Sequence, residues 1–368
     1  MLSLLKTSVL VFLLAAVANS TPIEKKHDKY IAYPIEHFEP SLIGKRYESE
    51  SFDEGGARYI TKLKIGSNKQ EVLVMIDTGS WNLNFPSVDA KCQGRKCAAG
   101  TTFDPSESTT FKNLSIFSRS YYGGGGSVQV SGFKSTDDLY LDDGKKLPDF
   151  EFNLLNATFY PRGIFGIGYI TNDNISYIEA TKKAGYINKA GFSIYTGSDH
   201  KGTFLLGGVD KAKYEGELAL YDTHLAIPGK SITTSNGTVL PFPSVLALDT
   251  GSAGLILDPP IVDQIFKEVR DEKGKISCDI ALAGNKSFTF DLGQGVEIDV
   301  PYSDAFYWNA DKTACNTRIE KTGHHGATQN VGIPLIKHIF LTNNYDTGKL
   351  GVAPVRYTDE SDIVDFWF

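Results

Sequence analysis

The sequence predicts a mainly β protein built from two lobes, and three observations lead to that prediction. The chain has 368 residues, which is longer than a domain with a single hydrophobic core usually is, so two lobes are expected. It contains 36 Gly, 22 Phe and 18 Tyr, and this composition favours turn-rich β structure over helices. The sequence Asp-Thr-Gly-Ser occurs twice, once in each half, which indicates an internal duplication.

Residues 1–20 are predicted to be a signal peptide. Lys6 supplies a basic start, and residues 9–17 are apolar but too few to span a bilayer. Ala18-Asn19-Ser20 ends the segment with small residues. The C-terminal residues 357–368 are acidic and lack a lipid-anchor tail, so we expect a secreted, extracellular protein without a membrane anchor.

A short pro-segment is predicted over residues 21–46. The segment ends in Lys45-Arg46, and a dibasic pair early in a secreted chain is a common processing site in eukaryotic secretory routes. A dibasic-specific processing protease would then release a chain that begins at Tyr47. The alternative is that Lys45-Arg46 is an ordinary pair of surface side chains.

The formal net charge of −7 bears on the partners of the protein. An acidic body argues against nucleic acid as a partner, because phosphates repel carboxylates. Such a surface suits work at low pH, where carboxylates protonate and the net charge moves toward zero. We expect a monomer that needs no cofactor.

Four cysteines in an exported chain suggest two disulfides. Cys92 lies near Cys97, and Cys278 and Cys315 both lie in the second half, so pairing within each half is the simplest of three connectivities. A zinc site is disfavoured, because the cysteine spacing has no matching His pattern. No metal is therefore predicted.

Five sequons could carry N-linked glycans if the export route is eukaryotic. The acceptor side chains are Asn113, Asn156, Asn174, Asn236 and Asn285.

Two elements of secondary structure can be predicted from periodicity. The alternation over residues 59–66 predicts a strand, and the apolar positions of residues 260–269 predict a helix with one buried face.

The duplicated sequence reads Asp77-Thr78-Gly79-Ser80 and Asp249-Thr250-Gly251-Ser252, 172 residues apart. Each copy follows an apolar run, at residues 72–76 and 245–248. This context predicts a buried strand that delivers an Asp into a tight turn, where Gly permits the turn and the hydroxyls orient the carboxylate. Two such turns, one per half, predict a pair of carboxylates that work together.

Several ordered motifs resemble the pepsin-like aspartic proteases, and within them the secreted fungal, candidapepsin-like enzymes. Residues 77–87 are similar to DTGSSNLWVPS, residues 121–127 to the flap sequence YGTGS, residues 163–169 to GILGLGY, residues 192–195 and 202–210 to FSVY and GSVLLGGID, and residues 349–355 to KVGLAPV. The resemblance covers nearly the whole chain after residue 46. It implies two β lobes related by a pseudo-twofold axis, over residues 47–222 and 223–368, with a substrate cleft between them.

The resemblance also implies a role for each motif residue. Asp77 and Asp249 would be the catalytic pair, and the serines 80 and 252 would hydrogen-bond their outer oxygens. Thr78 and Thr250 would tie the two loops together, and the glycines 79 and 251 belong to the same support. Tyr122 and Gly123 would lie on a hairpin, the flap, that closes over the substrate, with Tyr121 as the neighbouring alternative.

The chain departs from the family pattern in four places besides a run of four glycines in the flap. Asn84 replaces the Trp that supports the flap Tyr, and Trp81 replaces a small Ser. Arg162 stands where Asp is common, and residues 330–333 replace ILGD, so that Ile333 takes the place of a cleft-side Asp. These departures leave both tetrads whole and bear on substrate preference, flap rigidity and efficiency.

The predicted function is hydrolysis of peptide bonds in proteins at acidic pH, through a water activated by the two carboxyl groups. Two carboxyl groups at short range share one proton, so that one can accept a proton from water while the other donates a hydrogen bond to the scissile carbonyl. The alternative is a secreted protein of the same fold that binds or inhibits with little or no proteolytic activity.

Overall fold

The computed structural model describes residues 29–38, 58–97, 100–123, 128–160, 162–170, 176–197, 201–309, 311–323 and 329–368. Four predictions of the sequence concern residues outside these ranges. They are the signal peptide, the Lys45-Arg46 pair, the glycine run after Gly123 and the sequon at Asn174.

The described residues are mostly strands. In chain order the strands are β1 (Ile31–Phe38), β2 (Arg58–Ile65), β3 (Gln70–Asp77), β4 (Leu83–Cys92), β5 (Arg95–Lys96), β6 (Lys112–Tyr122), β7 (Val128–Tyr140), β8 (Lys146–Thr158), β9 (Gly163–Gly166), β10 (Gly191–Thr196), β11 (Lys201–Leu206), β12 (Val209–Asp210), β13 (Ala219–Tyr221), β14 (Ala226–Ile227), β15 (Ser231–Thr233), β16 (Val239–Pro241), β17 (Leu246–Leu248), β18 (Leu255–Leu257), β19 (Ser287–Gly293), β20 (Val296–Pro301), β21 (Phe306–Trp308), β22 (Cys315–Thr317), β23 (Ile319–Lys321), β24 (Asn330–Val331), β25 (Ile339–Asn344), β26 (Lys349–Pro354) and β27 (Ile363–Val364). The helices are α1 (Tyr177–Lys183), α2 (Pro259–Val269), α3 (Cys278–Ala281) and α4 (Ile333–Ile336).

Within the described part of the chain, the largest sheet contains fourteen strands. Its order is β13-β26-β25-β10-β11-β1-β2-β3-β9-β4-β8-β7-β6, with β5 paired to β4. Strand β10 from the first half lies antiparallel to β25 from the second half, with Gly191 opposite Asn344. The mainly β fold class predicted from the sequence is confirmed, and this sheet joins strands of both halves. The division into lobes at residue 222 stays a prediction.

The two elements predicted from periodicity are also present. Strand β2 covers the alternating segment, and its Leu63 and Ile65 are buried while Lys62 is exposed. Helix α2 begins with Pro259 and Pro260 in its first turn, where a missing amide hydrogen costs nothing. Its apolar positions 261, 262, 265 and 269 are buried, as its predicted one-sided pattern requires.

Strand β1 lies inside the range predicted as a pro-segment. It occupies the position between β11 and β2 in the large sheet, and it pairs with both neighbours in antiparallel register. Its alternate side chains Ile31, Tyr33 and Ile35 are each 2% exposed or less, so they belong to the main core. Removal of residues 21–46 during maturation stays a prediction.

The duplication seen in the sequence extends to the strand pairing. Strand β3 runs parallel to β9, which also pairs antiparallel with β4. In the second half β17 runs parallel to β24, which pairs antiparallel with β18. The registers make Ile164 of β9 equivalent to Asn330 of β24, and Asn84 of β4 equivalent to Ile256 of β18. Each half therefore delivers its Asp from the same three-strand arrangement.

Candidate active site

The two Asp-Thr-Gly-Ser turns face each other and are locked together by their threonines. The backbone amide of Thr78 donates to Oγ1 of Thr250 at 3.0 Å, and the amide of Thr250 donates to Oγ1 of Thr78 at 3.0 Å. Each hydroxyl in turn donates across to a strand of the other half, Thr78 to Leu248 O at 2.8 Å and Thr250 to Ile76 O at 2.9 Å. Because both threonines are buried, these four hydrogen bonds fix the two turns relative to each other without competition from water.

The glycines of the turns allow the two carboxylates to approach. A Cβ on Gly79 would lie 2.8 Å from Oδ1 of Asp249, and a Cβ on Gly251 would lie 2.3 Å from Oδ1 of Asp77. Both distances are shorter than any real contact of a Cβ atom. Glycine is therefore required in each tetrad because the carboxylate of the opposite tetrad fills the space that a side chain would need.

Asp77 is 4% exposed and has hydrogen-bond donors on both carboxylate oxygens. The Gly79 amide donates to Oδ1 at 2.9 Å, and the Ser80 hydroxyl donates to Oδ2. Burial is the largest effect on its ionisation, and together with the charge of Asp249 it raises the pKa of Asp77 to about 7, against the smaller opposing effect of the Ser80 hydrogen bond. Asp77 can therefore hold a proton at a pH where an ordinary Asp is ionised.

Asp249 has a different set of partners. The Gly251 amide donates to Oδ1 at 2.8 Å, as in the first half, but the donor to Oδ2 is the side-chain amide of Asn330, at 2.8 Å. The Ser252 hydroxyl instead lies 3.5 Å from the carbonyl oxygen and the amide nitrogen of Gly254. Ser80 therefore stands where the sequence places it, whereas the expected hydrogen bond from Ser252 to Asp249 is replaced by one from Asn330.

Tyr122 ends strand β6 and approaches the carboxylates from the flap. Its hydroxyl accepts a hydrogen bond from Nδ2 of Asn84 at 3.0 Å, and its ring packs edge-to-face on Tyr160 with centroids 6.2 Å apart. Burial and the nearby charge of Asp77 raise its pKa, so the hydroxyl stays neutral. Tyr121 is 58% exposed, so the geometry favours Tyr122 over Tyr121 as the residue that faces Asp77. Gly123 follows with a φ of 74°, a left-handed conformation that glycine adopts readily.

The other residues that depart from the family pattern differ in how exposed they are. Trp81 is 46% exposed beside the first tetrad, and Arg162 is partly buried just before β9. Ile333 begins helix α4 and is 1% exposed, so it packs in the core instead of lining a cleft. The polar group that the second half brings to the carboxylate comes three residues earlier, from Asn330.

The predicted disulfides join Cys92 to Cys97 and Cys278 to Cys315. The sequon asparagines within the described residues are all exposed, at positions 113, 156, 236 and 285.

Among the described residues no group of three or more His, Cys, Asp or Glu side chains is arranged to hold a metal ion. In the same part of the chain, every helix is too short or too polar to cross a membrane.

The sequence motifs did not predict that Asn330 donates a hydrogen bond to Asp249. Residues 330–333 stood out only because they lack the Asp that the family pattern has. A signal was nevertheless present in the duplication. Aligning the two halves on their tetrads and glycines places Asn330 opposite Ile164, so an amide stands in one half where the other half has a buried aliphatic side chain. A polar residue at an apolar repeat position beside a carboxylate is a candidate partner for that carboxylate.

The chain is similar in sequence to known aspartic proteases. A family sequence profile described as "Eukaryotic aspartyl protease" matches residues 58–355. Candidapepsin of Candida tropicalis is 29% identical, over 96% of this chain and 96% of its own length. Candidapepsin-2 of Candida parapsilosis is 30% identical, over 77% of this chain and 73% of its own, and secreted aspartic protease 8 of Candida albicans is 30% identical, over 84% and 78%. The chain, with its two facing Asp-Thr-Gly-Ser turns, therefore belongs to the eukaryotic aspartyl protease family.

Proposed function

We propose that the protein is a secreted aspartic endopeptidase that hydrolyses peptide bonds of proteins at acidic pH. The observation that carries this proposal is the mutual approach of Asp77 and Asp249, each next to the glycine of the opposite turn. The reciprocal threonine hydrogen bonds hold that approach in place.

The proposed chemistry uses one proton shared by the pair. The ionised carboxylate accepts a proton from a water, whose oxygen attacks the scissile carbonyl carbon. The protonated carboxyl group donates a hydrogen bond to the carbonyl oxygen as negative charge develops there. The C–N bond then breaks, and the departing amine takes a proton from the pair, which returns the site to its starting state with one proton.

The flap completes the proposed site. Tyr122 is close enough to Asp77 for the charge of that carboxylate to raise its pKa, and its hydroxyl is already engaged by Asn84. An extended peptide held beneath the flap would be shielded from bulk water, which strengthens every electrostatic contact to the reacting carbonyl. We propose unfolded protein segments as substrates, with apolar residues favoured beside the scissile bond.

The test is cleavage of a denatured protein by the processed chain between pH 3 and pH 8. Asp249→Asn is isosteric and should lower the cleavage rate by about 10²–10⁴-fold or more, since it removes one member of the acid–base pair. An unchanged rate in this variant would reject the assignment of the pair. Peptide binding without cleavage by the unaltered protein would favour the alternative, a binding or inhibitor protein of the same fold.

The route to the active protein forms a further part of the proposal. The name of the Candida albicans relative includes "secreted", and we propose secretion for this chain as well, through the signal peptide at residues 1–20. A dibasic-specific protease would cut after Lys45-Arg46, and glycans would modify exposed sequons of a monomer. N-terminal sequencing and glycosidase treatment of the secreted protein test these steps, and the absence of a chain that begins at Tyr47 would reject the cut site.

A further inference from the structure

We propose that Asn330 is a positioning residue of the catalytic pair, which holds the outer oxygen of Asp249 and selects Asp249 as the ionised partner. The proposal rests on the proposed protease function and deepens it. Its direct basis is the 2.8 Å hydrogen bond from Nδ2 of Asn330 to Oδ2 of Asp249. Among the described residues, the hydroxyl of Ser252 makes no such contact and lies against Gly254.

The position of Asn330 in the fold argues for a functional reason. Strand β24 is held between β17, which leads to Asp249, and β18, which leaves its turn. At the equivalent position of the first half, Ile164 is fully buried in an apolar cluster with Met75 and Leu155. The same strand arrangement therefore folds with an aliphatic residue here, and the amide of the second half is not a requirement of the fold.

The amide also carries a cost in stability. Oδ1 of Asn330 is buried and has no hydrogen-bond partner among the described residues. A buried polar atom left unpaired destabilises a protein, so without the contact to Asp249 an apolar residue at this position should be at least as good for folding. The contact with Asp249 is the compensating interaction that the structure offers, and it concerns the active site.

The chemistry of the two outer-oxygen donors explains why the carboxyl groups are unequal. The Ser80 hydroxyl beside Asp77 can rotate, so it donates to a carboxylate or accepts from a protonated carboxyl group. The amide N–H of Asn330 can only donate, so it favours the ionised form of Asp249. With Asp249 held as the carboxylate, the shared proton resides on Asp77, the more deeply buried of the two groups.

This assignment gives the two residues distinct tasks in the proposed reaction. Asp249 accepts the proton of the attacking water, and Asp77 donates the hydrogen bond to the scissile carbonyl. The opposite orientation of the Asn330 amide would place Oδ1 against Oδ2 of Asp249 and would require a proton there. The two arrangements thus make opposite predictions about which limb of the pH–rate profile depends on residue 330.

The test compares Asn330→Ile with the unaltered processed protein on a peptide substrate across pH. Isoleucine is the residue that the first half carries at this position, so the variant should fold. We expect kcat to fall by about 10- to 100-fold with KM little changed, since a hydrogen bond to a charged group is lost. The acidic limb of the kcat/KM profile should move to higher pH, because the donor to the carboxylate of Asp249 is gone. Movement of the basic limb to lower pH instead would overturn the assignment.

Two further variants separate positioning from structure. Asn330→Asp is isosteric and regains a donor only when its own carboxyl group is protonated, so its activity should approach that of the unaltered protein at the lowest pH and fall as pH rises. Ser252→Ala should lower kcat less than Asn330→Ile does. Equal losses of kcat in Ser252→Ala and Asn330→Ile would overturn the proposal. So would a loss in Asn330→Ile that is explained by unfolding of the variant at the temperature and pH of the assay.

Unfolding measurements, which need no catalytic activity, test the role of Asn330 separately from the proposed protease function. If the unaltered protein cleaves nothing, the protease proposal fails, but the pH dependence of unfolding still reports on Asp249. Asn330→Ile should lose stability relative to the unaltered protein as pH rises from acidic to neutral, because the donor to the carboxylate of Asp249 is gone. In an Asp249→Asn background that pH-dependent difference should vanish, and its persistence there would refute the role of Asn330.

Discussion

Asn84 donates a hydrogen bond from Nδ2 to the hydroxyl of Tyr122 at 3.0 Å, although the two residues are 38 positions apart. Its Oδ1 accepts a hydrogen bond from Nδ2 of Asn153 at 2.9 Å, which fixes the orientation of the amide. Asn84 is fully buried, so both contacts are protected from water. A short amide on β4 therefore supports the flap Tyr at the position where the resemblance to the family leads one to expect Trp.

Asn84→Leu should loosen the flap. The substitution keeps the approximate volume but removes the donor to Tyr122 and leaves the Asn153 amide without its acceptor. A neutral hydrogen bond contributes about 0.5–1.5 kcal/mol, so we expect kcat/KM to fall by about 3- to 10-fold. Steady-state kinetics on a peptide substrate measure the change. Tyr122→Phe provides the matched variant, since it removes the same hydrogen bond from the other side, and fully additive losses in the double variant would show that the contact carries no energy.

The threonine hydrogen bonds between the two turns should stabilise the fold as well as the site. Thr250→Val is nearly isosteric, yet it leaves the Thr78 amide and the Ile76 carbonyl without partners, and each buried unpaired group costs about 1–3 kcal/mol. Chemical denaturation should show a lower free energy of unfolding, with a parallel loss of activity. Thr109→Val, at an exposed residue, serves as the control, and equal effects of the two substitutions would contradict the proposed role of the threonine network.

The sequence located the two carboxyl groups because their tetrads are continuous, repeated and preceded by apolar runs. It also predicted β2 and α2, whose periodic patterns are local. Local patterns do not show the contacts of Asn84 and Asn330, because strand pairing brings together residues that are 38 and 81 positions apart, and only the comparison of the two halves marks position 330. Both residues stood out as departures from the family pattern, yet a departure in sequence does not reveal that an amide supplies a donor to Tyr122 or to Asp249.

The raised pKa of Asp77 sets the sign of two pH effects. Since burial and the charge of Asp249 raise that pKa to about 7, the shared proton is lost as pH rises through this value, and cleavage should fall there. The folded state also holds this proton more tightly than the unfolded state does, so the free energy of unfolding should decrease as pH rises from about 4 to about 7.

Asp77→Asn tests the stability effect directly. The variant has no carboxyl group to ionise, so it should gain stability relative to the unaltered protein over that pH interval, on the order of a few kcal/mol. Denaturant unfolding at several pH values measures the difference, with Asp359→Asn at an exposed site as the control. Unfolding curves that keep a constant separation from pH 4 to pH 7 would show that burial of Asp77 exerts no such effect.

The place of β1 in the sheet leads to a prediction about maturation. The strand pairs with β11 over six positions and buries Ile31, Tyr33 and Ile35, and the Thr61 hydroxyl donates to Pro34 O at 2.8 Å. Each fully buried side chain of this kind contributes about 1.5–3 kcal/mol. Residues 47–57 read YESESFDEGGA and lack three alternating apolar positions, so they are poorly suited to take the place of β1.

A cut after Arg46 should therefore leave β1 bound to the rest of the protein. The first cysteine of the chain is Cys92, so the N-terminal fragment would be held without a disulfide. Native mass spectrometry of the processed protein should give one complex, and denaturing conditions should release a fragment that contains residues 31–38. Replacing Lys45 and Arg46 by Ala supplies the uncut control, which should match the cut protein in melting temperature within a few degrees. A folded, active protein that begins at Tyr47 and lacks residues 31–38 would show that β1 is dispensable.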